Sequence, residues 1–142
     1  VEAFDAAGDP ERYREFGEPW QPLKLYYQIS FSRARIVALH EAMLAAGHES
    51  PYADWLDRMQ DSRDKGSRIT TRVRCADYFP VRDDALRAHA TQVDPDGQWF
   101  SVPLEVQRQA WPTEDYELVR STVEAGPDEE DLFAGVRSAT VG

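Results

Sequence analysis

Apolar residues recur at helical spacing between residues 32 and 46. Ile36, Leu39, Met43 and Ala46 share one face, flanked by Val37 and Leu44, which predicts an amphipathic helix. Ser30 or Ser32 can serve as its N-cap and Gly47 as its C-terminal stop. Just before it, residues 23–29 (LKLYYQI) are aromatic and apolar with few charges, the pattern of a buried strand. A strand followed at once by a long amphipathic helix is the α/β idiom. Residues 69–75 alternate and are rich in β-branched side chains, which predicts a second strand, and residues 116–123 predict a third.

Shorter signals fill the intervals. Residues 1–7 place Val1, Phe4 and Ala7 on one helical face, with Gly8 as a stop. Asp9-Pro10 predicts a short helix ending near Gly17, and Pro19 and Pro22 then hold residues 18–22 extended. Ser50-Pro51 introduces a helix over 52–59, and the polar stretch 60–68 reads as a flexible loop. Residues 81–91 predict a helix. Asp94-Pro95-Asp96-Gly97 predicts a turn, with Gly97 where positive φ is cheap. Residues 103–111 predict a helix ended by Pro112, and the acidic run from Asp128 to Asp131 opens a last helix to Gly135. Residues 136–142 read as a disordered tail. The fold class is α/β, a small mixed sheet with flanking helices, better suited to part of a domain than to a whole one.

Composition narrows the function. At 142 residues and 42% hydrophobic content the chain is of the globular class. Its formal charge of -10 is uneven, with three basic against six acidic residues over 1–29, eight against six over 30–74 and five against fourteen over 75–142. Such a surface argues against nucleic acid as a partner. No apolar run approaches the ~20 residues that span a bilayer, so no membrane partner is expected. The single cysteine, Cys75, excludes an intrachain disulfide and a thiolate metal cluster and fits a reducing, cytoplasmic setting. The chain starts at Val1, so the sequence is read as cut from something longer. The oligomeric state is left open.

Candidate chemistry is sparse. His40, His48 and His89 form no i, i+3 or i, i+4 pair, so helical zinc spacing is absent. His40 lies on the apolar flank of its helix, where a packed, satisfied imidazole is expected, and His48 follows the Gly47 stop as a surface residue. No Gly-x-Ser-x-Gly elbow and no glycine-rich phosphate loop occurs. The segment Ala88-His89-Ala90-Thr91-Gln92 stands out, because it sets an imidazole and a primary amide three residues apart at a helix end. The pair can cap and solvate that end, or it can border a cleft that holds a polyhydroxy ligand. By itself it cannot cut a bond.

Longer motifs add a resemblance. Ser32-Arg33-Ala34-Arg35, the run Val37-Ala38-Leu39-His40-Glu41-Ala42-Met43, Glu49-Ser50-Pro51-Tyr52-Ala53, Thr70-Thr71-Arg72-Val73, Cys75-Ala76-Asp77-Tyr78-Phe79 and the run from Trp111 to Leu118 resemble the C-terminal half of the mycothiol S-conjugate amidases of actinobacteria. The segment from Ala88 to Gln92 is shared more widely, with the deacetylase of mycothiol biosynthesis and other zinc deacetylases. The resemblance implies a Rossmann-like zinc hydrolase that cleaves the amide between an S-conjugated N-acetylcysteine and glucosaminyl-inositol. It releases a mercapturic acid in detoxification. It further implies a zinc-bound water attacking the amide carbonyl while a carboxylate takes the proton. The family's Ala-His-Pro-Asp-Asp and His-Pro-Asp-His motifs do not occur here. Catalytic residues and zinc ligands are therefore expected upstream of Val1, and the chain alone is expected to be inactive. What carries over is the substrate-side wall, with Gln92 contacting the sugar portion of the small-molecule substrate and His89 shaping the same edge. Segments 29–35 and 68–72 are expected to complete the cleft. The alternatives are the biosynthetic N-acetylglucosaminyl-inositol deacetylase and a non-catalytic sugar-binding or assembly module.

Overall fold

The computed structural model describes residues 1–59 and 65–139. The elements in chain order are α1 (Glu2–Ala7), β1 (Lys24–Gln28), α2 (Arg33–Ala45), α3 (Ala53–Met59), β2 (Thr71–Arg74), α4 (Phe79–Arg87), α5 (Leu104–Ala110), β3 (Thr113–Ser121) and α6 (Val136–Ala139). The chain divides into two compact units: a strand unit of Val1–Ile29, Arg68–Val73 and Asp115–Gly142, and a helical unit of Ser30–Ser67 and Arg74–Glu114. The α/β class expected from the sequence is the class observed.

In the strand unit the sheet order is β1-β3-β2. β1 pairs antiparallel with β3 from Lys24↔Ser121 to Gln28↔Tyr116, with a bulge between Leu25 and Tyr26. The sheet is antiparallel rather than mixed, and parallel pairing occurs as an isolated bridge, Thr71↔Glu129. The buried apolar side chains here are Ala6 and Ile29. Polar groups do more of the fastening. Lys24 Nζ donates to Glu129 Oε1 at 2.7 Å and to the Ala134 carbonyl at 2.9 Å, and Tyr26 Oη donates to Glu129 Oε2 at 2.7 Å. Backbone bonds from Arg72 N to Glu129 O and from Glu129 N to Thr70 O hold the same residue against β2.

The helical unit follows its predicted pattern except at Ala46, which lies just past the end of α2 and is exposed. Ser32 Oγ accepts from Arg35 N at 3.2 Å to cap α2, and Gly47 ends it at φ 76°. Ile36, Leu39 and Met43 are buried, and Leu39 and Met43 pack with Val102 against Tyr52, Val106, Ala110 and Trp111.

Several expectations are corrected. Asp9-Pro10 opens a turn, not a helix, because Tyr13 takes φ 58° and breaks the helical path; a 3-10 turn follows at Arg14–Phe16. β1 is half-buried to exposed rather than buried, as fits a sheet edge. The acidic run opens no helix: Glu129 is drawn inward to Lys24, and residues 132–135 form turns. Gly97 sits at φ -78°, so its value lies in space, since a Cβ there would come within 3.0 Å of the Asp94 carbonyl oxygen. Residues 136–139, expected in a disordered tail, form α6, and 140–142 lie outside the described residues. Of the expected loop 60–68, residues 60–64 also lie outside them, while Lys65–Arg68 is a 3-10 turn.

Candidate functional site

Within the helical unit, α4 is fixed by a charged cluster. Arg82 Nη2 donates to Asp83 Oδ1 and to Gln107 Oε1, both at 2.8 Å, and Arg82 Nη1 donates to Glu114 Oε1 at 3.2 Å. Glu114 Oε2 accepts from Arg35 Nη1 at 3.0 Å. The Arg82 guanidinium also covers the Phe79 ring, 4.4 Å from its centroid. Burial works against the Glu114 charge, but Arg35 and Arg82 outweigh it and hold the carboxyl below its usual range. Burial, and then the Glu114 charge, push the Cys75 thiol up. The thiolate is correspondingly scarce, which suits a structural cysteine and not a nucleophile.

The helix that this cluster holds ends four residues earlier than its pattern suggests. α4 stops at Arg87, and residues 88 and 90–92 are turns on either side of His89, whose N bonds Leu86 O at 3.0 Å and whose O accepts from Gln92 N at 2.8 Å. The reason lies in burial: residues 87–92 are all exposed, so further turns of helix would cover nothing. His89 and Gln92 therefore share one tight turn rather than one helix face. Both side chains are exposed, and neither makes a hydrogen bond or ion pair among the described residues. An imidazole and a carboxamide so presented offer donors and acceptors suited to hydroxyl groups.

The loop that follows is anchored at its far end. Gly97 N bonds Asp94 O, Gln98 Nε2 donates to the Pro51 carbonyl at 3.4 Å, and the Arg87 guanidinium lies 4.5 Å from the Phe100 ring centroid. Trp99, between these anchors, meets Phe31 with centroids 5.4 Å apart. Phe31 in turn meets Trp55 edge-on at 5.1 Å, and Trp55 lies 6.2 Å from Tyr52. This aromatic cluster has no periodic signature, and sequence reasoning missed it. Of segment 29–35, Ile29, Ser32 and Arg35 are buried, whereas Phe31, Arg33 and Ala34 are exposed.

The remaining histidines follow expectation. His40 Nδ1 lies 2.8 Å from Ser50 Oγ, and His48 is exposed. The His40–Ser50 contact has the elements of a nucleophile and base, but Ser50 Oγ also accepts from Tyr52 N, and no carboxylate orients His40 among the described residues. It pins the turn before α3. No group of three or more His, Cys, Asp or Glu among the described residues could hold a metal ion, so the zinc implied by resemblance finds no ligand set in them. No helix among them is long and apolar enough to cross a membrane.

Comparison with known proteins gives the context. No family profile matches the chain, and no solved structure does. The mycothiol S-conjugate amidase of Streptomyces coelicolor is 54% identical over 137 residues, which cover 95% of this chain and 47% of the amidase. The 1D-myo-inositol 2-acetamido-2-deoxy-alpha-D-glucopyranoside deacetylase 1 of Frankia alni is 36% identical over 96% of this chain and 48% of its own length. The corresponding deacetylase of Streptomyces avermitilis is 35% identical over 96% of this chain and 46% of its own. The chain spans about half the length of the curated relatives it matches, aligning with the C-terminal half of the amidase. These relatives are hydrolases of amide bonds.

Proposed function

The chain belongs to the family of these amidases and deacetylases, and on that premise we propose that it supplies the substrate-side wall of an amidase acting on mycothiol S-conjugates. The reaction yields a mercapturic acid and glucosaminyl-inositol, a detoxification step in the reducing cytoplasm. The single observation that carries the choice is the margin by which identity to the amidase exceeds identity to the deacetylases. The exposed, unengaged side chains of Gln92 and His89 support the assignment of the sugar-binding edge. In this reading Gln92 holds sugar hydroxyls through its carboxamide, and His89 bounds the same edge. Zinc and its ligands are assigned to residues outside this chain.

The test is substrate preference of the complete gene product that carries these residues. It should hydrolyse a bimane conjugate of mycothiol in preference to N-acetylglucosaminyl-inositol; faster acetate release would make the deacetylase the correct reading. The 142-residue chain alone should hydrolyse neither and should hold no stoichiometric zinc. One tightly bound zinc per chain on metal analysis would overturn that expectation. In the complete gene product, Gln92→Ala should raise KM about 3–10-fold with little change in kcat, the loss of one or two neutral hydrogen bonds made equally in ground and transition states. An unchanged kcat/KM would place Gln92 outside the site.

A further inference from the structure

We propose that the aromatic cluster of Phe31, Trp55 and Trp99 binds the S-linked apolar group of the conjugate; this rests on the amidase reading above. Phe31 is 40% exposed and Trp99 53% exposed, although the two rings touch each other and the half-buried Trp55. Contiguous aromatic surface open in this chain is apolar area that a ligand or a further polypeptide segment gains by covering. The indole N–H groups of Trp55 and Trp99 and the Tyr52 hydroxyl make no hydrogen bond among the described residues. The cluster thus offers planar apolar faces edged with unused donors, the combination that accepts an apolar group carrying carbonyl oxygens.

Its rigidity favours binding. Trp99 lies in the 3-10 turn Gln98–Phe100, tied on one side to the Pro51 carbonyl and on the other to Arg87 through Phe100. Phe31 directly precedes the buried Ser32 that caps α2. A ligand landing there orders little that is not ordered already. Size argues for a small molecule: fully covered aromatic side chains bury roughly 150–250 Å² each. The open parts of two or three such rings fall well short of the ~800 Å² per partner of a stable protein interface. The same loop carries Gln92 and, seven residues on, Trp99, so a sugar edge and an apolar platform stand on one segment. A deacetylase substrate, whose acyl group is only acetyl, would have no use for the platform.

Kinetics of the complete gene product test this with mycothiol conjugates bearing a bimane, a benzyl or a carboxymethyl group on sulfur, and with the acetylated sugar. Trp99→Ala should raise KM for the bimane and benzyl conjugates about 5–10-fold and leave the carboxymethyl conjugate and the acetylated sugar unchanged. Trp99→Phe should restore most of the loss. In parallel, a bimane conjugate of N-acetylcysteine, which lacks the sugar, should quench the tryptophan fluorescence of the complete gene product saturably, with binding weakened in Phe31→Ala and unchanged in the surface variant Leu44→Ala. Equal KM changes for all S-groups, or no change in any, would overturn the platform while leaving the amidase reading intact. Failure to hydrolyse any S-conjugate would overturn the amidase reading, and the fluorescence titration would then still decide whether the cluster binds an apolar S-group.

Discussion

Glu129→Ala is expected to destabilise the strand unit by about 3–5 kcal/mol, the range for breaking a buried ion pair from one side. Lys24 and Glu129 have side chains only 4% exposed. Removing the carboxylate leaves a buried ammonium with the Ala134 carbonyl as its remaining hydrogen-bond acceptor among the described residues, and leaves the Tyr26 hydroxyl without its 2.7 Å acceptor. Because Glu129 also pairs with β2 through its backbone, the loss is felt by three chain segments at once. Urea unfolding followed through Trp20, the tryptophan of this unit, measures the effect. A change under 1 kcal/mol would show that the pair contributes little. The double variant Lys24→Met with Glu129→Leu should recover most of the stability, since it removes the charge along with its partner.

The same pair sets a pH profile. Burial opposes the Glu129 charge, but hydrogen bonds from Lys24 and Tyr26 outweigh it and hold the carboxyl below 4.5. Its contribution is therefore complete above pH 4.5 and is lost as pH falls through the folded-state value. Burial likewise opposes the Lys24 charge, but Glu129 prevails and raises the ammonium above 10.5, so that contribution is complete below pH 10.5 and is lost as pH rises through the folded value. Stability from the pair is flat between these limits, and a Glu129→Gln variant should lose less on acidification than the parent.

How far the sequence reveals this molecule depends on how local each signal is. α2 was legible to within a residue or two because its cap, apolar face and glycine stop all lie within sixteen positions. The role of Glu129 was not, because its partner Lys24 is 105 residues away and an acidic run looks the same before a helix as before a turn. The end of α4 was misplaced because helix propensity continues through Ala88 and Ala90 while burial does not. Gln92 and His89 could be singled out because both sit in one short motif. Phe31, Trp55 and Trp99 could not, because their meeting depends on how α2, α3 and the 88–100 loop pack. The buried Arg35 was hidden for the same reason, one position from the apolar face and 79 residues from Glu114.

Glu114→Gln should produce the second large effect, about 3 kcal/mol, in the helical unit. The substitution keeps the shape and one acceptor but removes the anion shared by Arg35 and Arg82, whose side chains are mostly or partly buried. Arg82 keeps Asp83, whereas Arg35 loses the carboxylate that holds both its terminal nitrogens. The cost therefore falls mainly on α2, and the variant should show it in the fluorescence of Trp55, Trp99 and Trp111, which all lie in this unit. Pairing the change with Arg35→Met should return much of the loss, because a thioether of similar length fills the space without a charge to satisfy. Acidification mimics the substitution: Glu114 is held below 4.5, so its stabilisation is present above that pH and fades as pH falls through the folded value. The parent should therefore approach the stability of Glu114→Gln at low pH. If the two stay as far apart in acid as at neutrality, the cost lies in packing and not in charge. Since α4 is held through Arg82, the variant should also loosen the turn bearing His89 and Gln92. Faster amide exchange at Gln92 and Val93, whose N–H groups bond His89 O, is the local sign to look for.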